Sequence, residues 1–178
     1  RADSYHAFAA YMADVIEHWD KEGVITFQST DPMNEPATNY WGANSNKQEG
    51  CHFSQGESQS KILVALNEEL KNKGINIIIS GTDETNSGYN GGQGGQIDSY
   101  NKLSDEAKAV LGRIDTHTYT RSSLADLKAL AESEGKNLWM SEVDGSDTAG
   151  TKAGEMSAAL GLAGAMMTEV NGLKCSAW

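Results

Sequence analysis

The sequence predicts an α/β fold: a parallel sheet with helices outside it, either doubly wound or closing toward a barrel. Three observations carry this. Apolar runs of strand length alternate with stretches of helical periodicity, in the order helix, then strand and helix four times, then a final strand. Such alternation calls for right-handed crossovers between parallel strands. The polar, chemically capable residues also gather just after the strands, where both architectures place their sites.

The elements follow in order. Tyr5, Phe8, Ala9, Met12, Val15, Ile16 and Trp19 recur at helical spacing, and Gly23 stops that helix. Val24 to Ser29 is expected to form the first strand, followed by Asn34-Glu35 and a long polar loop, Ala37 to Gln55. A helix over about Ser58 to Lys73 presents Ile62, Leu63, Leu66 and Leu70 to the core and ends at Gly74. Ile75 to Ser80 is a continuous apolar run, as a strand covered on both faces would be. After it come Gly81 to Thr85, the glycine-rich segment Gly88 to Gly95, and a helical stretch broken near Ser104, which can cap Asp105 to Leu111. Ile114 to Tyr119 is a short strand. Leu124, Leu127 and Leu130 mark a helix ended by Gly135, and Asn137 to Val143 is a strand. Met156, Ala159, Leu160, Ala163, Met167 and Val170 mark the last long helix, and Leu173 to Trp178 is expected to be a final strand.

Composition limits the function. With 178 residues and 38% hydrophobic content the chain can bury one ordinary core. Its 14 Lys+Arg against 25 Asp+Glu give a formal charge of −11 and no basic stripe, which disfavours nucleic acid and anionic membranes and suits a neutral substrate. No run approaches the roughly 18 apolar residues of a membrane span. Cys51 and Cys175 form no CxxC pattern, and spacing leaves open whether they are bridged. The chain opens at Arg1 inside a helical pattern, with neither methionine nor signal peptide, so a cut start is expected.

The chemistry centres on two glutamates. Asp31-Pro32-Met33-Asn34-Glu35-Pro36 and Leu138-Trp139-Met140-Ser141-Glu142-Val143 each place a glutamate at or just beyond the carboxyl end of a strand. Two such carboxyls can face each other across one pocket, as glycoside hydrolysis requires: one protonates the leaving oxygen, and the other attacks or activates water. Prolines on both sides of Asn34-Glu35 exclude regular helix there. One Asn-Glu-Pro tripeptide alone is weak; a second glutamate at a matching strand end makes the pair the stronger reading. Asn34 can donate to a sugar hydroxyl beside the reacting carbon. His117 and Tyr119, at alternate positions of one strand, are expected to line the same pocket. Trp178 can stack on a sugar face or pack in the core. Tyr40 and Trp41 can stack in outer subsites or pack within their loop. Trp139 is expected against the helices. Asp83 and Glu84 form a further acidic strand end that could bind substrate or order the rim.

Cofactor chemistry finds no support in the sequence. Gly88 to Gly95 does not match a dinucleotide or phosphate-binding loop and is expected to be a mobile rim segment. Asp144-Gly145-Ser146-Asp147 lacks the remaining positions of a calcium loop, and His6, His18, His52 and His117 lack zinc-site spacing. No metal and no cofactor are expected.

The run Asp31 to Trp41, with Gln48-Glu49-Gly50-Cys51-His52 behind it, resembles the fourth-strand region of glycoside hydrolase family 30, in its endo-β-1,6-galactanase branch. Thr116-His117-Thr118-Tyr119 resembles the family's sixth strand and Trp139 to Gly145 its seventh. The resemblance implies a partial TIM (β/α) barrel of about five parallel strands, the fourth to the eighth, with outer helices. It implies Glu35 as acid/base, Glu142 as nucleophile and net retention of configuration. Asn34 would meet the substrate 2-hydroxyl, with His117, Tyr119 and Trp178 around the reacting sugar. A secreted enzyme is implied, acting without a cofactor on a polysaccharide or oligosaccharide, here β-1,6-linked galactan. Residues 1–178 are then expected to be a piece of one catalytic domain, without its first three strands and β-sandwich side domain, and inactive alone. Other family specificities (glucanase, xylanase or glucosylceramidase-like) and a non-catalytic carbohydrate-binding module are the alternatives.

Overall fold

The computed structural model describes residues 4–42, 44–46, 50–89, 94–143 and 153–178. Four strands, β1 (Ser29–Thr30), β2 (Ile78–Asn86), β3 (Leu111–Thr120) and β4 (Asn137–Glu142), pair in parallel in the order β1-β2-β3-β4. The helices are α1 (Tyr5–Lys21), α2 (Glu57–Asn72), α3 (Gln96–Lys102), α4 (Asp105–Val110), α5 (Leu124–Ser133) and α6 (Met156–Leu173). This is the expected parallel α/β arrangement, a curled partial barrel.

The core lies between one face of the sheet and the helices. Ala9, Ala13 and Ile16 of α1 and Ile62, Leu63, Leu66 and Leu70 of α2 pack with Ile79, Leu111, Ile114, Leu138 and Met140 of the strands. Full burial of an aliphatic side chain of this size contributes roughly 1.5–3 kcal/mol. The opposite face is polar: Ser29, Ser80, Arg113, Asp115 and His117 lie on it. Helices α1, α2 and α5 run into Gly23, Gly74 and Gly135, all at positive φ, which is the reason these three glycines mark helix ends in the sequence. Ser104 caps α4 by accepting the Ala107 N–H, as its position predicts.

Four strands differ from expectation, the third by running from Leu111 to Thr120 rather than only over Ile114 to Tyr119, since its ladder with β2 already begins at Ile79↔Leu111. The first occupies Ser29–Thr30 rather than Val24 to Ser29, because its ladder has two pairs, Ser29↔Ile78 and Thr30↔Ile79. The amides of Val24 and Ile25 turn back to the Trp19 carbonyl instead. The second starts at Ile78 and runs on through Asn86; Ile78 is exposed, so the Ile75–Ser80 run is not covered on both faces. The final strand reduces to one bridge, Trp139↔Ala177, since α6 continues through Leu173. Cys51 and Cys175 are both free thiols, so the bridge left open by the sequence is absent. Asp144-Gly145-Ser146-Asp147 and the middle of the Gly88–Gly95 segment lie outside the described residues.

Candidate active site

Two β-bulges build the site. Thr82 pairs with Asp115 and Glu84 with Thr116, so Asp83 is an extra residue of β2; Thr116 pairs with Met140 and His117 with Glu142, so Ser141 is an extra residue of β4. A bulge re-aims the side chains that follow it. Along β4, Leu138 and Met140 are buried in the core and Trp139 and Ser141 lie on the polar face. The bulge at Ser141 breaks the alternation and sets Glu142 beside His117 rather than on the helix side. Trp139 thus corrects the expectation: it lies on the polar face with the Arg113 guanidinium 3.5 Å from its ring centroid, not against the helices.

His117, 1% exposed, stands at the centre. Its Nδ1 lies 3.2 Å from Glu35 Oε1, and its Nε2 lies 3.3 Å from Asp83 Oδ2 and 3.6 Å from Glu142 Oε2. Burial alone works against an imidazolium, but the bonds to Asp83 and Glu35 and the Glu142 charge outweigh it, and its pKa is pushed up to about 10. Tyr119 Oη donates to Glu142 Oε1 at 2.8 Å. The sequence-predicted Glu35, Glu142, His117 and Tyr119 therefore meet in one place. Ligand atoms of Glu35, His117 and Glu142 all lie within 4.8 Å of one another.

The Glu35 loop is held by many bonds. Glu35 is buried, with φ 46°, and its N–H donates to the Asp83 carbonyl at 2.8 Å; Asp83 too has positive φ, 59°. Two non-glycine residues in the left-handed region, both touching His117, fit the concentration of strained backbone at functional sites. Tyr40 Oη donates to Glu35 Oε2, Trp41 Nε1 donates to the Glu35 carbonyl at 2.9 Å, and the two rings pack edge to face with centroids 4.6 Å apart. Tyr40 and Trp41 thus both bond Glu35 through their polar atoms. Further along, Pro36 O accepts from Phe53 N–H at 2.9 Å and Thr38 O bonds His52 Nδ1 at 2.7 Å.

The remaining expected residues are Asn34 and Trp178. Asn34 is half-buried next to Glu35 in the same loop. Trp178 donates from Nε1 to Glu169 of α6, which also bonds Thr118 Oγ1 at 2.6 Å and Arg121 Nε at 2.6 Å. Thr118 points to the helix side of β3, opposite His117, so Trp178 is tied to that side and not to the cluster.

The acidic strand end Asp83-Glu84 divides its roles in a way the sequence does not show, and Arg113, Asp115 and Asp31 are not singled out as site residues by the sequence. Asp83 and Glu84 are neighbours with separate tasks. Asp83 faces the cluster and also accepts from Ser141 Oγ. Glu84 is wholly buried and accepts from Gln59 Nε2 at 2.7 Å, Ser99 Oγ at 2.5 Å and Ala37 N at 3.2 Å, which joins α2 and α3 to the Glu35 loop. Burial raises its pKa to about 7 against the pull of those donors. Below the cluster, Arg113 grips Asp115 with two bonds, 2.6 and 2.8 Å, and also donates to Ser29 and Ser80. Burial and the nearby Asp83 and Asp115 hold the Asp31 carboxyl well above its usual range. The i, i+2 spacing of Arg113, Asp115 and His117 on one strand is the signal that could have found this polar column.

A metal could in principle bind between Glu35, His117 and Glu142. Both His117 nitrogens, however, already point at carboxylates, and an imidazolium has no lone pair for an ion. The donor set does not fit a resident metal.

Comparison with known proteins places the chain in a family. The sequence model of O-glycosyl hydrolase family 30 matches residues 1–133. An endo-β-1,6-galactanase of Hypocrea rufa is 30% identical over 149 residues, 83% of this chain and 29% of its own length. An exo-β-1,6-galactobiohydrolase of Bifidobacterium longum subsp. longum is 30% identical over 184 residues, 81% of this chain and 12% of its own. The chain thus spans less than a third of the curated relatives it matches. Among solved structures, an endo-β1,6-glucanase superposes with a TM-score of 0.72 at 20% identity, over 98% of this chain and 36% of that one. An exported protein of Bacteroides fragilis superposes with a TM-score of 0.70 at 15% identity, over 100% and 41%. The chain belongs to glycoside hydrolase family 30.

Proposed function

We propose that residues 1–178 carry both catalytic carboxylates of a retaining glycosidase acting on β-1,6-linked galactan, and that they are one part of a longer barrel domain. The observation that carries the reading is the meeting of Glu35 and Glu142 oxygens within 4.8 Å, across His117. Retaining enzymes hold their two carboxyls about 5–5.5 Å apart, too close for a water between carboxylate and sugar. Glu142, oriented by the Tyr119 hydroxyl, attacks the anomeric carbon as Glu35 protonates the leaving oxygen. Water then enters, Glu35 removes its proton, and the glycosyl–Glu142 bond breaks with net retention. Asn34, beside Glu35, would meet the sugar 2-hydroxyl. The family resemblance assigns which glutamate takes which role.

The linkage is supported by the two relatives at 30% identity, one described as an endo-β-1,6-galactanase and the other as an exo-β-1,6-galactobiohydrolase. A secreted location belongs to the same reading; among the described residues no helix is long and apolar enough to cross a membrane. The test uses the full-length enzyme on β-1,6-galactan, xylan and β-glucan, with Glu35→Ala and Glu142→Gly variants. Turnover on galactan that both variants lose, with azide restoring Glu142→Gly, is the expected result. Undiminished turnover in either variant overturns the reading, and product analysis separates endo from exo action.

A further inference from the structure

We propose that Asp83 is a positioning residue that locks the bulges of β2 and β4 together over His117 and so sets how Glu35 and Glu142 face each other. This rests on the assignment of those two glutamates as the reacting pair. The extra residues of the two bulges, Asp83 and Ser141, lie on the strands flanking β3 at the same level, and they bond to each other. Ser141 Oγ also reaches the Thr116 carbonyl of the intervening strand at 3.1 Å. Glu142 follows Ser141 directly, so the bond that fixes the bulge also fixes the turn that brings Glu142 in.

The same residue reaches the other glutamate twice. Its carbonyl accepts the Glu35 N–H at 2.8 Å, and its second carboxylate oxygen lies 3.3 Å from His117 Nε2, whose Nδ1 faces Glu35 Oε1. Asp83 is therefore bonded to the backbone of one glutamate, to the neighbour of the other, and to the ring between them. No other residue of the cluster has all three links among the described residues. A displacement of about 1 Å at such a pair lowers rates by up to about 100-fold, because the near-attack geometry is lost.

Charge makes the position readable. The groups facing His117 are Glu35 from the loop after β1, Asp83 from β2, Glu142 from β4 and Tyr119 of its own strand. Asp115 and Arg113 lie below, and Asp31 and Tyr40 stand behind Asp83 and Glu35. The bond to Asp83 is the foremost of those holding the ring charged. With it His117 stays an imidazolium up to about pH 10; without it that limit falls.

The experiment compares Asp83→Asn and Ser141→Ala with the parent full-length enzyme, reading kcat and KM on β-1,6-galacto-oligosaccharides and the His117 titration by NMR. In Asp83→Asn, kcat is expected to fall about 10- to 100-fold with KM changed less than about threefold, and the His117 midpoint to move down. Ser141→Ala, which keeps the Asp83 charge, is expected to lower kcat without moving the His117 midpoint. A parental kcat in both variants overturns the proposal, as does an unmoved His117 midpoint in Asp83→Asn. If Asp83→Asn does not fold, Ser141→Ala decides on kcat alone. Glu142→Gln separates the two levels: full turnover there refutes the assignment of the reacting pair, while the His117 titration still judges Asp83.

Discussion

Glu84 makes stability depend on pH in a direction opposite to that of a salt-bridged acid. Its carboxyl is fully buried, and its pKa rises from an ordinary 4.5 to about 7. Between those values the folded protein keeps a proton that the unfolded chain has released. Stability therefore falls as pH rises through this window and levels off above it. A gap of this size at 1.36 kcal/mol per pH unit corresponds to about 3 kcal/mol. Glu84→Gln cannot ionise, and its carbonyl oxygen can still accept from Gln59 and Ser99, while the bond from Ala37 N is lost. Urea denaturation of parent and variant from pH 4 to 8 isolates the effect, because other titrating groups cancel in the difference. The parent is expected to lose about 3 kcal/mol relative to Glu84→Gln between pH 4.5 and 7.5. A difference that stays flat with pH, or grows in the parent's favour, refutes the reasoning.

Two other outcomes follow from the polar column. Arg113→Met leaves Asp115 buried without its partner, and a loss of about 3–5 kcal/mol is expected, most of it recovered when Asp115→Leu is added; a double variant as unstable as the single one counts against this. Because both His117 nitrogens are engaged, chelators are expected to leave any glycosidase turnover of the full-length enzyme unchanged, and calorimetry with zinc or manganese to show no binding at this site. Turnover that chelation abolishes and metal restores refutes the assignment of His117 as an imidazolium.

Much of the fold was legible because its signals are local. Helix ends are written by single residues such as Gly23, Gly74, Gly135 and the Ser104 cap. The four strands and their alternation with helices follow from short apolar runs, although β1 and the segment after Leu173 are shorter than their hydrophobicity suggests, since ladder length depends on a neighbouring strand. The meeting of Glu35, Glu142, His117 and Tyr119 was legible from their residue types at strand ends. The site was not legible where geometry depends on bulges. Period-two counting along β4 puts Trp139 on the face opposite Glu142, and it fails because Ser141 adds one residue. The bonds that Tyr40 and Trp41 make to Glu35 were not legible either, because they depend on how the loop folds back on itself. Glu84 gives no sign in the sequence of its burial, which comes from α2 and α3 closing over it.

The two-residue ladder of β1 has a consequence for what holds Glu35 in place. The seat of Glu35 is made by β2 and by its own loop: Asp83 and Glu84 hold the peptides of Glu35 and Ala37, and Phe53 holds that of Pro36. A loop held in this way keeps the position of Glu35 largely independent of the two-residue β1 ladder, since its peptides are moored to β2.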